Sequence, residues 1–173
     1  MGCLFAAMLA RSKSKNEVWL LDKEPERAKK ISAKGISVEG LSNFTQGINA
    51  VSDAKKIGPC ELVIIFTKSY DTDMALHSIK PLIGDNTNVL SLQNGLGNLG
   101  LISEMIGEER TIGGITAHGA TLIDHGRLTH AGKGETVIGR LNGKIFGDLR
   151  QISTVFNDAG IQTKITKDIN AVI

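Results

Sequence analysis

The sequence predicts an α/β protein whose core is a doubly wound, mostly parallel sheet carrying a small antiparallel extension. Three observations predict it. Short apolar runs alternate with helix-patterned segments between residues 17 and 116. The run 61–67, ELVIIFT, is apolar without alternation, as a strand covered on both faces is in a parallel sheet. After His118 the texture changes to three short β-type segments, 120–124, 127–131 and 136–138, divided by His125-Gly126 and Gly132-Lys133-Gly134. A length of 173 residues, 41% hydrophobic and 22% charged, fits one globular domain and excludes disordered and collagen-like classes.

The opening Met1-Gly2-Cys3 leads into an apolar stretch through Ala10. A secretory signal would need a basic residue ahead of that stretch, and acylation at Gly2 would need Ser or Thr where Ala6 stands. The segment is therefore expected to be a helix, with Ala6, Ala7 and Ala10 admitting another backbone close by. The stretch 17–21 (EVWLL) reads as a strand ending at Asp22. Pro25 then opens a helix that runs to Lys34 and is closed by Gly35. Segments 36–39 and 46–51 read as short strands. After the strand 61–67, a helix runs from about Tyr70 to Ile79 and is stopped by Pro81. The stretch 87–92 is a buried strand, Gly95-Leu96-Gly97 a loop, 99–106 a helix and 110–116 a strand. Beyond the antiparallel segments, 144–159 is helical, 161–165 a strand, and a further helix begins near Lys167. Strands alternating with helices at this spacing require crossovers, which are right-handed almost always.

Twenty Lys and Arg against 18 Asp and Glu give a formal charge of +2 without a dominant run, so no nucleic-acid footprint is indicated. Cys3 and Cys60 lie far apart, outside any CxxC or Cys/His ligand spacing, which argues against a disulfide framework or a zinc site and fits a reducing, cytoplasmic setting. No apolar run approaches the roughly 20 residues of a membrane helix. His118, His125 and His130 share no helical face and have no carboxylate cluster beside them, so structural or exposed roles are expected and no metal site is assigned.

The chemistry begins with a partial fingerprint. A dinucleotide-binding unit places Gly-x-Gly-x-x-Gly between its first strand and helix, because the turn and the pyrophosphate both need backbone without a Cβ. Only a last glycine is here. Gly2 precedes the Ala-rich helix, and Asp22 follows it by 20 positions at a strand end, where the ribose hydroxyls would be met. Taken alone, the pair serves equally as an ordinary helix start and a turn-forming aspartate. Three further turns follow strands in order: Phe66-Thr67-Lys68-Ser69-Tyr70-Asp71-Thr72, Ser91-Leu92-Gln93-Asn94-Gly95-Leu96-Gly97 and Thr116-Ala117-His118-Gly119-Ala120. In an open α/β sheet the carboxyl ends of strands line the ligand crevice.

In these turns, in Gly2 to Ala10 and in the stretch from Gly132-Lys133-Gly134 to Gly139, the chain resembles the ketopantoate reductase family, the 2-dehydropantoate 2-reductases. The resemblance runs through nearly the whole chain. It implies a Rossmann-like NAD(P)-binding domain over residues 1–166, with 167–173 beginning a helical second domain. It further implies that Lys68 borders the cofactor and neutralises nearby charge, and that Asn94, before Gly95, hydrogen-bonds cofactor ribose and substrate. Ala120 would offer a backbone contact to the nicotinamide carboxamide, Gly2 would lie by the cofactor, and Asp22 would take the adenosine ribose. The implied activity is NAD(P)H-dependent reduction of ketopantoate to pantoate, toward pantothenate and coenzyme A, by a cytoplasmic oxidoreductase. Its partner would be a small 2-keto acid, and a homo-oligomer is compatible with it. NADPH is the family's usual cofactor, whereas an acidic Asp22 favours NADH, with Lys23 beside it as a cation that could hold a 2′-phosphate.

Two departures from the family accompany these matches. Its first strand and first two glycines would precede Met1, so the sheet is expected to lack that strand. Its catalytic lysine would fall past Ile173, so no proton donor is named here, and the chain is expected to be a cofactor-binding part inactive alone. The alternatives are another two-domain dehydrogenase, such as a glycerol-phosphate or hydroxyacid dehydrogenase, and a cofactor-binding or remnant domain without turnover.

Overall fold

The structure is a computed structural model that describes residues 1–14, 16–95 and 97–173. Leu96, in the expected Gly95-Leu96-Gly97 loop, lies outside the described residues. The chain divides into two compact units, each assembled from several stretches of sequence.

The first unit comprises Met1–Asp53, Ala117–Glu135 and Thr154–Gln162. Its opening helix α1 (Gly2–Arg11) buries every residue from Leu4 to Leu9. A helix apolar on all sides has no solvent face to keep, so it sits in the interior. Phe5, 1% exposed, stands edge-on to Phe156 with ring centroids 6.0 Å apart. Strand β1 (Trp19–Leu21) follows, then α2 (Pro25–Lys34), which starts on proline and buries Ala28 and Ile31. Gly35 ends it at φ +74, and a Cβ there would fall 2.5 Å from the Gln46 carbonyl oxygen, so both the turn and the close approach require glycine. Then come β2 (Ile36–Gly40), β3 (Phe44–Gln46) and β4 (Asn49–Val51). β1 and β4 pair in parallel, Leu20 opposite Ala50. β8 (Gly119–Asp124) and β9 (Arg127–Gly132) form an antiparallel hairpin that joins β2 and β3 in a four-stranded sheet ordered β3-β2-β9-β8.

The second unit comprises Ala54–Thr116, Thr136–Ser153 and Thr163–Ile173. It holds β5 (Leu62–Ile65), α3 (Thr72–Ile79), β6 (Asn88–Ser91), α4 (Gly97–Ile106), β7 (Thr111–Thr116), β10 (Thr136–Arg140), the start of α5 (Gly147–Asp158) and β11 (Thr163–Ile165). The sheet order is β11-β10-β7-β6-β5. β5, β6 and β7 run parallel and β10 runs antiparallel to β7. All four residues of β6 are buried, as a central parallel strand with both faces covered requires.

Several elements differ from expectation. The segment 46–51 divides between β3 and β4, which pair in different sheets, because each half finds its own hydrogen-bond partner. The segment 136–138 leaves the antiparallel extension: β10 returns to the larger sheet, with Gly139 opposite Gly113. The helix expected from Tyr70 starts at Thr72, after a 3-10 turn over Ser69–Asp71. No helix forms near Lys167. There Thr166 Oγ1 accepts from the Asp168 amide and Asp168 Oδ1 from the Ala171 amide, local side-chain bonds that hold a turn instead.

Among the described residues β1 and β5 each pair with a single strand, which leaves one backbone side of each without a ladder partner. Deeper in the second unit, Arg140 is buried at 1% side-chain exposure and donates to Asp148 and, at 3.1 Å, to Asn88 Oδ1. Burial pushes the Asp148 carboxyl up, but the hydrogen bond and charge of Arg140, with Asn88, outweigh it and hold the group below the usual carboxylate range.

Two outcomes are expected. Open strand edges should make the chain self-associate as its concentration rises, seen as a growing mass in light scattering; a reversible melt of a monomer, unchanged by concentration, would contradict this. Asp148→Ala should cost about 2–3 kcal/mol in urea unfolding, because the buried guanidinium loses its counter-charge while the half-exposed carboxylate limits the loss.

Candidate functional site

The polar side chains that the sequence singles out fall in both units, Lys68 and Asn94 in the second and Asp22 and the histidines in the first. In the second unit the parallel pair β5 and β6 end side by side, Ile65 opposite Ser91, so the loops that follow leave from the same edge. The first carries Lys68 and the second Asn94 and Gly95, with Lys68 and Asn94 exposed. Gly95 adopts φ +104, a conformation that an L side chain would strain.

What ties these loops together is Gln93, which is 5% exposed. Its amide nitrogen lies 2.9 Å from the Thr67 carbonyl oxygen and 2.9 Å from Thr72 Oγ1. Its carbonyl oxygen accepts from Ser91 Oγ at 3.1 Å. Thr72 Oγ1 donates to Asn98 Oδ1 at 2.8 Å, and Asn98 Nδ2 donates to the Asn94 and Gly95 carbonyls at 3.2 and 3.0 Å. The structure thus brings the Lys68 and Asn94 turns into one hydrogen-bonded assembly. Sequence reasoning quoted Gln93 as part of a turn motif and gave no role to Thr72 or Asn98. Only their polarity next to apolar strands signalled them, since buried polar groups need partners.

In the first unit Asp22 closes β1, and its amide donates to the Val51 carbonyl. Its carboxylate, 10% exposed, is gripped by Arg27 through two bonds of 2.6 Å, Nε to Oδ2 and Nη2 to Oδ1, and it accepts the Glu24 amide at 2.9 Å. Arg27 also meets Glu24 at 3.1 Å. The hydrogen bond to Asp22 raises the Arg27 pKa further. Arg27, which the sequence reading did not single out, is thus the cation on Asp22, while Lys23 is exposed. The signal was available as an arginine five positions on, in the first turns of α2. Gly2 is the first residue of α1 and has no positive φ. Ala120 sits in β8 opposite His130, just after a register irregularity at Gly119.

Beside Ala120 lies a buried histidine pair. His118 and His130 stack with centroids 5.3 Å apart, and His118 Nδ1 is 3.2 Å from His130 Nε2. His130 Nδ1 meets Ser42 Oγ at 3.0 Å, and Phe5 stands edge-on to His118 at 5.8 Å. Burial first, then the charges of His130 and Lys133, push the His118 pKa below its ordinary value. His125 is exposed in the β8–β9 turn. Among the described residues no group of three or more His, Cys, Asp or Glu is placed to hold a metal ion. No helix of the described residues is long and apolar enough to cross a membrane.

A largely parallel sheet with helical crossovers and polar turns at its strand ends defines a Rossmann-like α/β protein. The ketopantoate reductase PanE/ApbA profile matches residues 1–143, and the chain belongs to that family. The 2-dehydropantoate 2-reductase of Pyrococcus horikoshii is 40% identical over 139 residues, 80% of this chain and 45% of that protein. The Halobacterium salinarum enzyme of the same name is 31% identical over 169 residues, 96% of this chain and 54% of that protein. Among solved structures, the 2-dehydropantoate 2-reductase of Geobacter metallireducens superposes with a TM-score of 0.89 at 27% identity over 97% of this chain and 55% of that one. D-mandelate dehydrogenase with NADH and anilino(oxo)acetate gives 0.86 at 25% identity over 96% of this chain and 54% of that one. The chain spans about half the length of the relatives it matches.

A histidine held neutral by burial costs stability on acidification, because the unfolded chain takes up the proton first. Stability of the first unit should be full above the ordinary histidine value of 6.5 and fall as pH drops below it. Urea midpoints measured across that range should show this, and His118→Asn should flatten the dependence.

Proposed function

We propose that the chain is the cofactor-binding part of an NAD(P)H-dependent oxidoreductase of the 2-dehydropantoate 2-reductase type, which reduces ketopantoate to pantoate in the synthesis of pantothenate and coenzyme A. The observation that carries this reading is the joined pair of strand-end turns presenting Lys68 and Asn94, in a chain of this family.

Within each unit the residues present offer groups that suit a part of a nicotinamide dinucleotide. Asp22 stands at a strand end with its Oδ1 taken by Arg27 and the Glu24 amide, and the remaining acceptor site on Oδ2 suits one ribose hydroxyl. Gly2, in the first turn of α1, leaves room for a pyrophosphate beside backbone amides. Lys68 supplies positive charge, and the Asn94 amide, before Gly95, offers a donor and an acceptor to ribose and keto acid. Ala120 contributes backbone groups for the carboxamide. The nicotinamide supplies the hydride when bound. No residue between 1 and 173 is assigned as proton donor. The absence of a disulfide at Cys3 and Cys60 fits a cytoplasmic enzyme.

A second reading, a 2-hydroxy-acid dehydrogenase on the same sheet, is favoured by the likeness to D-mandelate dehydrogenase. Turnover of ketopantoate against an aromatic 2-keto acid by the enzyme that contains this chain separates the two.

NADH is the cofactor that Asp22 favours, since a 2′-phosphate would meet its carboxylate. Fluorescence titration should give a lower Kd for NADH than for NADPH, by about tenfold for a like-charge contact near 1.4 kcal/mol. Asp22→Asn should narrow that gap. A strong NADPH preference would show that Arg27 and Lys23 outweigh Asp22, and failure to bind either would overturn the cofactor reading.

A further inference from the structure

The hydrogen bonds around Gln93 admit one direction only. Its amide nitrogen faces acceptors, the carbonyl oxygens of Thr67 at 2.9 Å and of Lys68 at 3.4 Å, so a flipped amide would set oxygen against oxygen. With Gln93 donating to Thr72 Oγ1, the single Thr72 hydroxyl proton is left for Asn98 Oδ1. That fixes the Asn98 amide with its nitrogen toward the Asn94 and Gly95 carbonyls. The chain therefore runs Ser91 to Gln93 to Thr72 to Asn98 to the Asn94 turn, each member orienting the next. Ser91, Thr72, Gln93 and Asn98 are 2%, 0%, 5% and 5% exposed, so water cannot substitute for a lost partner.

We propose that Thr72, Gln93 and Asn98 are positioning residues that set the spacing between the Lys68 turn and the Asn94-Gly95 turn, and so the affinity for the nicotinamide-ribose half of a dinucleotide. Thr72, the last residue of the Lys68 turn and the first of α3, is the central link because it accepts from Gln93 and donates to Asn98. The affinity half of the proposal rests on the cofactor reading above; the clamp itself does not.

Thr72→Val keeps shape and removes the hydroxyl, whereas Thr72→Ser keeps the hydroxyl. Amide hydrogen exchange reads the clamp directly: Thr72→Val should speed exchange in both turns together, at Asp71, whose amide donates to the Lys68 carbonyl, and at Gln93, whose amide donates to Ser91 Oγ, and Thr72→Ser should restore protection. Titration reads the consequence. Thr72→Val should weaken NADH about tenfold, the cost of one buried hydrogen bond, while ADP, which lacks the nicotinamide ribose and its base, changes less than twofold. Thr72→Ser should recover the wild-type ratio. Should Thr72→Val not yield folded protein, Asn98→Ala, which releases the Asn94 turn alone, is measured in the same way. Exchange that rises in neither turn would overturn the clamp, and equal weakening of NADH and ADP would overturn its role in placing the nicotinamide half. A wild-type chain that binds no dinucleotide overturns the cofactor reading and the affinity half, while the exchange result still decides the clamp.

Discussion

Two loops that leave adjacent parallel strands cannot use the ladder beyond the last paired residues, so their first carbonyls need donors from elsewhere. In the second unit the Gln93 side chain meets that demand. A buried backbone carbonyl without a partner costs as much as a lost hydrogen bond, so some donor has to be supplied there. Supplying it from the neighbouring loop joins the two loops, and the exposed Lys68 and Asn94 take their positions from that junction. The apolar strands below, with Val89, Leu90 and Ile112 fully buried, supply the fixed base from which both loops depart.

The first unit solves a different electrostatic problem. A carboxylate only 10% exposed at the end of β1 would be expensive without a partner, and Arg27 provides a bidentate one from the start of α2. The pair fixes the direction of the Asp22 carboxylate and draws off part of its field. On the cofactor reading proposed above, selection between NADH and NADPH at this position would be a property of the pair and not of the aspartate by itself. The stacked pair of His118 and His130 is a further packed polar contact, and burial lowers the His118 pKa.

Membership of the ketopantoate reductase family rests on a match over most of this chain, and the relatives are about twice as long. The arrangement within each unit accordingly bears on cofactor binding. Reduction of a keto acid additionally needs a proton donor, and none is assigned among these residues.

Much of the fold was legible because its signals are local. The unbroken apolar run of β5, the proline opening α2 and the glycine closing it fix those elements through burial and backbone geometry alone. The strand-end location of Lys68 and Asn94 was readable for the same reason. The separation of β3 from β4, the return of β10 to the larger sheet, the grip of Arg27 on Asp22 and the Gln93–Thr72–Asn98 chain were not. Each depends on which distant backbone or side chain supplies a hydrogen bond, as Thr72 and Asn98 do across 26 positions. Periodicity records which face of an element is apolar, but it carries no record of a partner's identity. The sequence by itself determined the elements and their strand-end turns; the tertiary structure decided their partners, because polar groups shut away from water must be satisfied by whatever the fold places beside them.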